Sequence, residues 1–91
     1  MNPVRPRWFY TYLLRSKPTN KFYVGVTNNL QQRLKQHNRG LVFSTKHLRP
    51  LRLVYFESCL NKDDAYRRER YLKTGMGKRY LKNRLIGGLT G

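Results

Sequence analysis

From Trp8 to Leu14 the chain reads WFYTYLL, a run of aromatic, β-branched and aliphatic side chains whose natural home is a strand. The run stops at Arg15-Ser16-Lys17-Pro18-Thr19-Asn20, a cluster of turn-forming residues, and a second short run follows from Phe22 to Thr27. Two such runs about one turn predict a β-hairpin. If the hairpin is symmetric about its loop, Tyr12 and Tyr23 lie opposite or nearly opposite each other on one face, with Tyr10 and Gly25 beside them.

Beyond the hairpin, Asn28 or Asn29 is a fitting N-cap for a helix to about Asn38, which Gly40 would end. Leu30, Arg33, Leu34 and His37 recur at i, i+3, i+4 and i+7, so Arg33 and His37 join the inward stripe, while Gln31, Gln32, Lys35 and Gln36 face solvent. Leu41 to Pro50 is a polar, basic loop, and Arg52 to Glu57 (RLVYFE) is a third strand. Asn61-Lys62-Asp63-Asp64 starts a second helix, with its carboxylates where the helix dipole favours them. Ala65, Glu69, Leu72 and Met76 mark its apolar stripe. After a break at Gly75-Met76-Gly77, Lys78 to Ile86 forms a last short helix. The expected fold is α+β, a three-stranded antiparallel sheet flanked by helices in the order ββαβαα. One domain is expected over residues 1–91, with its core at about 8–86, because a chain of this length builds a single core.

Charge narrows the function. Twenty Lys and Arg against four Asp and Glu give a formal charge of +16, spread along the whole chain. Such an excess repels itself in the free protein and is neutralised in use by a polyanion. DNA or RNA is the expected partner, DNA before RNA. An anionic membrane fits poorly, since the helices spend their apolar faces on a core. Cys59, the single cysteine, has no intrachain disulfide partner, and no Cys/His spacing suits zinc. No stretch approaches the roughly 20 apolar residues of a membrane span, and the basic start, Met1 to Arg7, leads into no long apolar region. The expected location is the cytoplasm, on the nucleoid.

Three sets of residues invite chemistry. Glu69 falls on a core-facing stripe, where an ionised carboxylate is costly unless it meets a cation. That cation is either Arg33 or another arginine, as a structural ion pair, or a bound metal. With only four carboxylates, and Asp63 and Asp64 committed to a helix start, metal chemistry here would use one ion, Mg²⁺ or Mn²⁺, that keeps most of its shell as water and phosphate oxygens. Arg33 and His37 share one helical face: either a plain basic edge or, beside a phosphate, a two-oxygen clamp and a proton carrier. Tyr10, Tyr12 and Tyr23 fill a hairpin face or stack on bases. A catalytic phenol would need help, since a free one is only about one part in a thousand ionised at pH 7.

These pieces stand in the order and spacing of the GIY-YIG nuclease superfamily, and the chain resembles its short stand-alone bacterial members, which are similar to the amino-terminal domain of the excinuclease C subunit. Tyr10-Thr11-Tyr12 matches the first signature, with Tyr-Thr in place of Gly-Ile, and Tyr23-Val24-Gly25 matches the second. Arg33 and His37 follow on the first helix, Glu69 in RRERYLK on the next, and Asn83 on the last. The resemblance implies Tyr12 as the general base, Tyr23 as the group that positions it or the attacking water, Arg33 on the scissile phosphate and His37 assisting there. Glu69 would ligate the single metal, Asn83 would orient Glu69 or its water shell, and Gly25 would keep the hairpin face low for substrate. The products would carry a 3′-hydroxyl and a 5′-phosphate.

Ser44, Thr45, Lys46, Arg49, Lys73, Lys78 and Arg79 are expected to line a groove for backbone phosphates, contacts that position a nucleic acid without reading its sequence. The implied activity is hydrolysis of DNA phosphodiester bonds, selective for DNA structure or tied to repair, or aimed by a targeting protein. The alternative is a non-catalytic basic binding module on a nuclease-like fold. An acid on the substrate side separates the two, because it repels phosphate and serves a binder nothing.

Overall fold

A computed structural model of the protein describes residues 7–89, so the basic stretch from Met1 to Pro6 and the last two residues lie outside the described residues. The hairpin forms from β1 (Phe9–Ser16) and β2 (Phe22–Thr27). Its tip contains Asn20 at a φ of 61°, a left-handed conformation that asparagine tolerates better than most residues. Tyr12 pairs with Gly25 and Leu14 with Tyr23, so the two tyrosines are diagonal neighbours on one face. β3 (Leu51–Cys59), longer at both ends than RLVYFE alone predicts, pairs antiparallel with the other edge of β1 and gives the strand order β2-β1-β3.

Helices cover both faces of the sheet, which is why Thr11 to Leu14 in the central strand are all buried. On the Tyr12 face lies α1 (Leu30–Asn38), capped by the Asn29 side chain, which accepts from Gln32 N–H. Leu30 and Leu34 pack there with Tyr12, Leu14, Leu48 and Leu51. The chain leaves α1 through Gly40, at a φ of 77°, and a short 3₁₀ turn at Lys46–Leu48 drops Leu48 into this cluster. On the opposite face, α2 (Lys62–Leu72) starts at the Asn61 cap, and Leu72 packs with Leu13, Val24 and Leu81. The Thr11 hydroxyl donates to Ala65 O at 2.9 Å and pins α2 to the central strand.

The end of α2 corrects one expectation. Gly75-Met76-Gly77 is not a break but the first turn of α3 (Gly75–Arg84), and the interruption lies at Lys73-Thr74, where the Thr74 side chain caps Gly77 N–H. Gly77 permits the sharp step between the helices: a Cβ there would collide with Tyr71 O and Leu72 Cα. Because α2 has already ended, Met76 does not extend its stripe and is 69% exposed. A short α4 (Ile86–Leu89) follows α3, and the order ββαβαα holds with this added turn. Among the described residues no helix is long and apolar enough to cross a membrane.

Candidate functional site

Tyr12 stands at the centre of the site because β1 is the middle strand and its even-numbered side chains point toward α1. It is 2% exposed, and its hydroxyl is 2.8 Å from His37 Nε2. His37, fully buried on α1, has its Nδ1 2.7 Å from Thr45 Oγ1. The Thr45 hydroxyl has its own, longer donation to Val42 O at 3.5 Å. Thr45 therefore accepts from Nδ1–H, and Nε2 is left as the acceptor for the Tyr12 hydroxyl. The Tyr23 ring packs edge-on to His37, with centroids 5.2 Å apart, and lies 6.4 Å from the Tyr12 ring.

Two expectations change here. Gly25 does not open the face to substrate; the Tyr12 ring and hydroxyl occupy the space a Cβ would take. Thr45 and His37 do not line a groove or meet phosphate, since both are fully buried and bonded to each other. Sequence reasoning missed that link because the eight-residue separation from helix to loop carries no periodic signal.

Burial, reinforced by the Arg33 charge, lowers the His37 pKa to about 4, so the imidazole is neutral and suited to accept. Burial also raises the Tyr12 phenol above its ordinary value, against the Arg33 guanidinium beside it, with Tyr23 and Glu69 adding to the rise. At rest the phenol holds its proton and donates it to His37. A stability consequence follows. The unfolded chain protonates His37 near 6.5 and the folded chain only near 4, so stability is complete above about pH 6.5 and falls as pH drops through that window. Two and a half units correspond to about 3 kcal/mol. Urea melts of wild type and His37→Gln between pH 7 and 4 check this: the variant should lack most of the slope.

Glu69 comes from α2, which covers the other face of the sheet, and its charge adds slightly to the rise of the Tyr12 phenol. Among the described residues no arginine pairs with it. Its ionic partner is Lys73, one turn on, at 3.6 Å, and the Glu69 side chain is 18% exposed. The arginine pairing anticipated for Glu69 belongs instead to Glu57, whose two oxygens accept from Arg68 Nε at 2.8 and 3.0 Å. The Tyr55 hydroxyl also donates to Glu57, and the Arg68 guanidinium stacks on Tyr71 and Tyr80. That network is structural, and Glu69 is the carboxylate whose charge is felt at the Tyr12 phenol. Arg33 is half-buried, donates to Gln36 Oε1 at 3.1 Å, and with Gln32 and Lys62 lines a polar cleft of about 410 Å³ at the end of β2.

The other anticipated residues are scattered. Asn83 is exposed on α3 and makes no hydrogen bond to Glu69. Tyr10 shares the Tyr12 face but stacks edge-on against Phe56, at 5.9 Å. Exposed Ser44, Lys46 and Arg49 sit on the loop after α1; the Lys46 ammonium lies over the Phe43 ring, and Arg49 Nε donates to Lys46 O. Lys73, Lys78 and Arg79 belong to the α2–α3 side, so the seven phosphate candidates divide between elements on opposite faces, and Thr45 drops out.

A paired-tyrosine hairpin, an arginine and histidine on the next helix, and a lysine-paired carboxylate on a later one accompany a direct match: a family profile for the GIY-YIG catalytic domain covers residues 8–83. The chain belongs to the GIY-YIG family. Its GIY-YIG relatives include a UPF0213 protein of Clostridium perfringens, 45% identical over 67 residues that make up 70% of this chain and 69% of the relative. Another is a UPF0213 protein of Staphylococcus haemolyticus, 39% identical over 80% of this chain and 89% of the relative. The solution NMR structure of a UPF0213 protein from Bacillus halodurans superimposes with a TM-score of 0.52 at 30% identity, covering 84% of this chain and 83% of that one. Membership in the GIY-YIG family gives the chain a nuclease-type fold and points to a nucleic acid as its class of substrate.

Proposed function

We propose that the protein is a metal-dependent endonuclease that hydrolyses phosphodiester bonds in DNA. The observation that carries this reading is Glu69: in so basic a chain its one ion-pair partner among the described residues is a lysine at 3.6 Å, while its charge reaches the Tyr12 phenol. A pure binder gains nothing from an acid so placed.

The residues fit one weakly caged divalent ion. Among the described residues no three His, Cys, Asp or Glu side chains gather, so Glu69 would hold the ion with water and phosphate oxygens completing its shell. When bound, Mg²⁺ or Mn²⁺ supplies charge stabilisation at the leaving 3′ oxygen. Arg33, lining the polar cleft, holds the scissile phosphate through its two-pronged guanidinium. Tyr23, half-buried and with no hydrogen bond from its hydroxyl among the described residues, orients the attacking water. Tyr12 accepts that water's proton while its own passes to His37 Nε2, so no free phenolate is required beforehand. His37 acts through Tyr12 as the final proton acceptor, and Thr45 holds the His37 ring in place. Asn83 joins only if α3 shifts when substrate binds.

Branched, nicked or damaged DNA is the proposed substrate class, with repair on the nucleoid as the setting and a protein partner supplying further targeting. The test is a panel of labelled linear, nicked and branched DNAs incubated with Mg²⁺, Mn²⁺ or EDTA. Cleavage in metal that EDTA abolishes, leaving 3′-hydroxyl and 5′-phosphate ends, is the expected result. Tight binding with no cleavage of any DNA would establish the binding module instead.

A further inference from the structure

The edge strand β2 has a different cleft at each end. The polar one, beside Val26 and Thr27, contains Arg33. The other, about 470 Å³, opens beside Phe22, Tyr23 and Val24 and is built otherwise. Its floor is the aliphatic cluster around Leu72 and Leu81, its wall includes Phe22 and Tyr23, and Lys73, Lys78 and Lys82 stand around it. Roughly 300–1,000 Å³ is the usual size of pockets that enclose a small organic group.

We infer that this cleft receives one unpaired nucleobase of the bound DNA, a short way along the strand from the phosphate that is cut. Three features point to that occupant. The surfaces are apolar, as a base face requires, and the aromatic ring of Phe22 beside them is 46% exposed, with the Arg15 guanidinium 6.0 Å from its centroid. Three ammonium groups surround the apolar surface, matching a flat ring carried on a phosphate chain rather than a neutral apolar ligand. The cleft also adjoins the candidate site: Tyr23, part of its lining, turns its ring to the other face of the sheet against His37, and Lys73 is the ion partner of Glu69.

A DNA strand lying along β2, with its phosphate at Arg33, thus has a place for an unstacked base at the strand's other end. Fully paired duplex offers no such base without paying to unstack one. The fold therefore selects DNA with a bulge, gap or branch, by shape and without reading sequence. This inference rests on the nuclease reading for its meaning, but it is tested by binding alone.

Affinity is measured in EDTA for two duplexes differing by a single unpaired 2-aminopurine, a fluorescent base analogue whose emission falls on stacking. Wild type should bind the bulged duplex about tenfold more tightly, the scale of stacking one base on an aromatic ring, with a drop in emission. Phe22→Ala and Leu85→Trp, the second filling the cleft from its half-buried lip, should lose that preference while binding paired duplex within twofold of wild type. If Leu85→Trp fails to fold, Phe22→Ala at its exposed site decides. Equal wild-type affinity for the two duplexes, or full preference retained by Phe22→Ala, overturns the inference. Discrimination without any cleavage in metal would leave it standing and remove the nuclease reading; cleavage without discrimination would do the reverse.

Discussion

Glu69→Gln should bind DNA at least as tightly as wild type and lose metal-dependent cleavage by on the order of a thousandfold, the equivalent of several kcal/mol at tenfold per 1.36 kcal/mol. The substitution keeps the size and planarity of the side chain and removes its charge. Its structural cost is small, because the ion pair lost is an i,i+4 contact at 3.6 Å to a lysine more than half exposed. Removing a negative charge near the bound phosphates lowers repulsion, hence the unchanged or raised affinity. Single-turnover cleavage in Mg²⁺, run beside a binding titration, separates the two effects. A variant that cuts at the wild-type rate would take Glu69 out of the chemistry. In the binding titration both proteins should weaken steeply as salt rises, since several phosphates release counterions on contact.

Tyr12→Phe is the second large effect, a loss of about a hundredfold to ten-thousandfold in the same assay, the range that general-base groups contribute. The ring stays and the packing on Gly25 stays with it, but the hydroxyl that bonds His37 is gone. Nε2 is then a buried acceptor without a donor, which costs about 1–3 kcal/mol, so the variant should melt earlier yet remain folded. Circular dichroism and the melting temperature establish that the fold is intact before rates are compared. Full activity in a folded Tyr12→Phe would show that the proton leaves the water by another route. Glu69→Gln lacks this stability cost, so the two variants have different signatures even where both are inactive.

Local patterning carried much of the fold. The aromatic run from Trp8 to Leu14, the turn cluster after it and the three helix caps at Asn29, Asn61 and Thr74 are near-neighbour effects, visible without tertiary context, although Thr74 was passed over for the glycines beside it. Period-two alternation put Tyr12 and Tyr23 on one face on the condition that the hairpin is symmetric about its loop, and the register meets that condition. The order of Arg33, His37, Glu69 and Asn83 was likewise legible as a family pattern.

What the sequence by itself determined is therefore the ladder of elements and the need of so basic a chain for a polyanion, both of which depend on spacing and composition. Only the tertiary structure decided which cation each acid meets: Arg68 goes to Glu57, and Glu69 is left with a lysine, because pairing across elements depends on how α2 lies over β3. It also decided that His37 and Thr45 sit buried behind Tyr12 instead of facing phosphate, since burial is a property of what packs on top of a residue. Amphipathic periodicity tells which way a side chain leans. It does not tell how deep the layer above it will be.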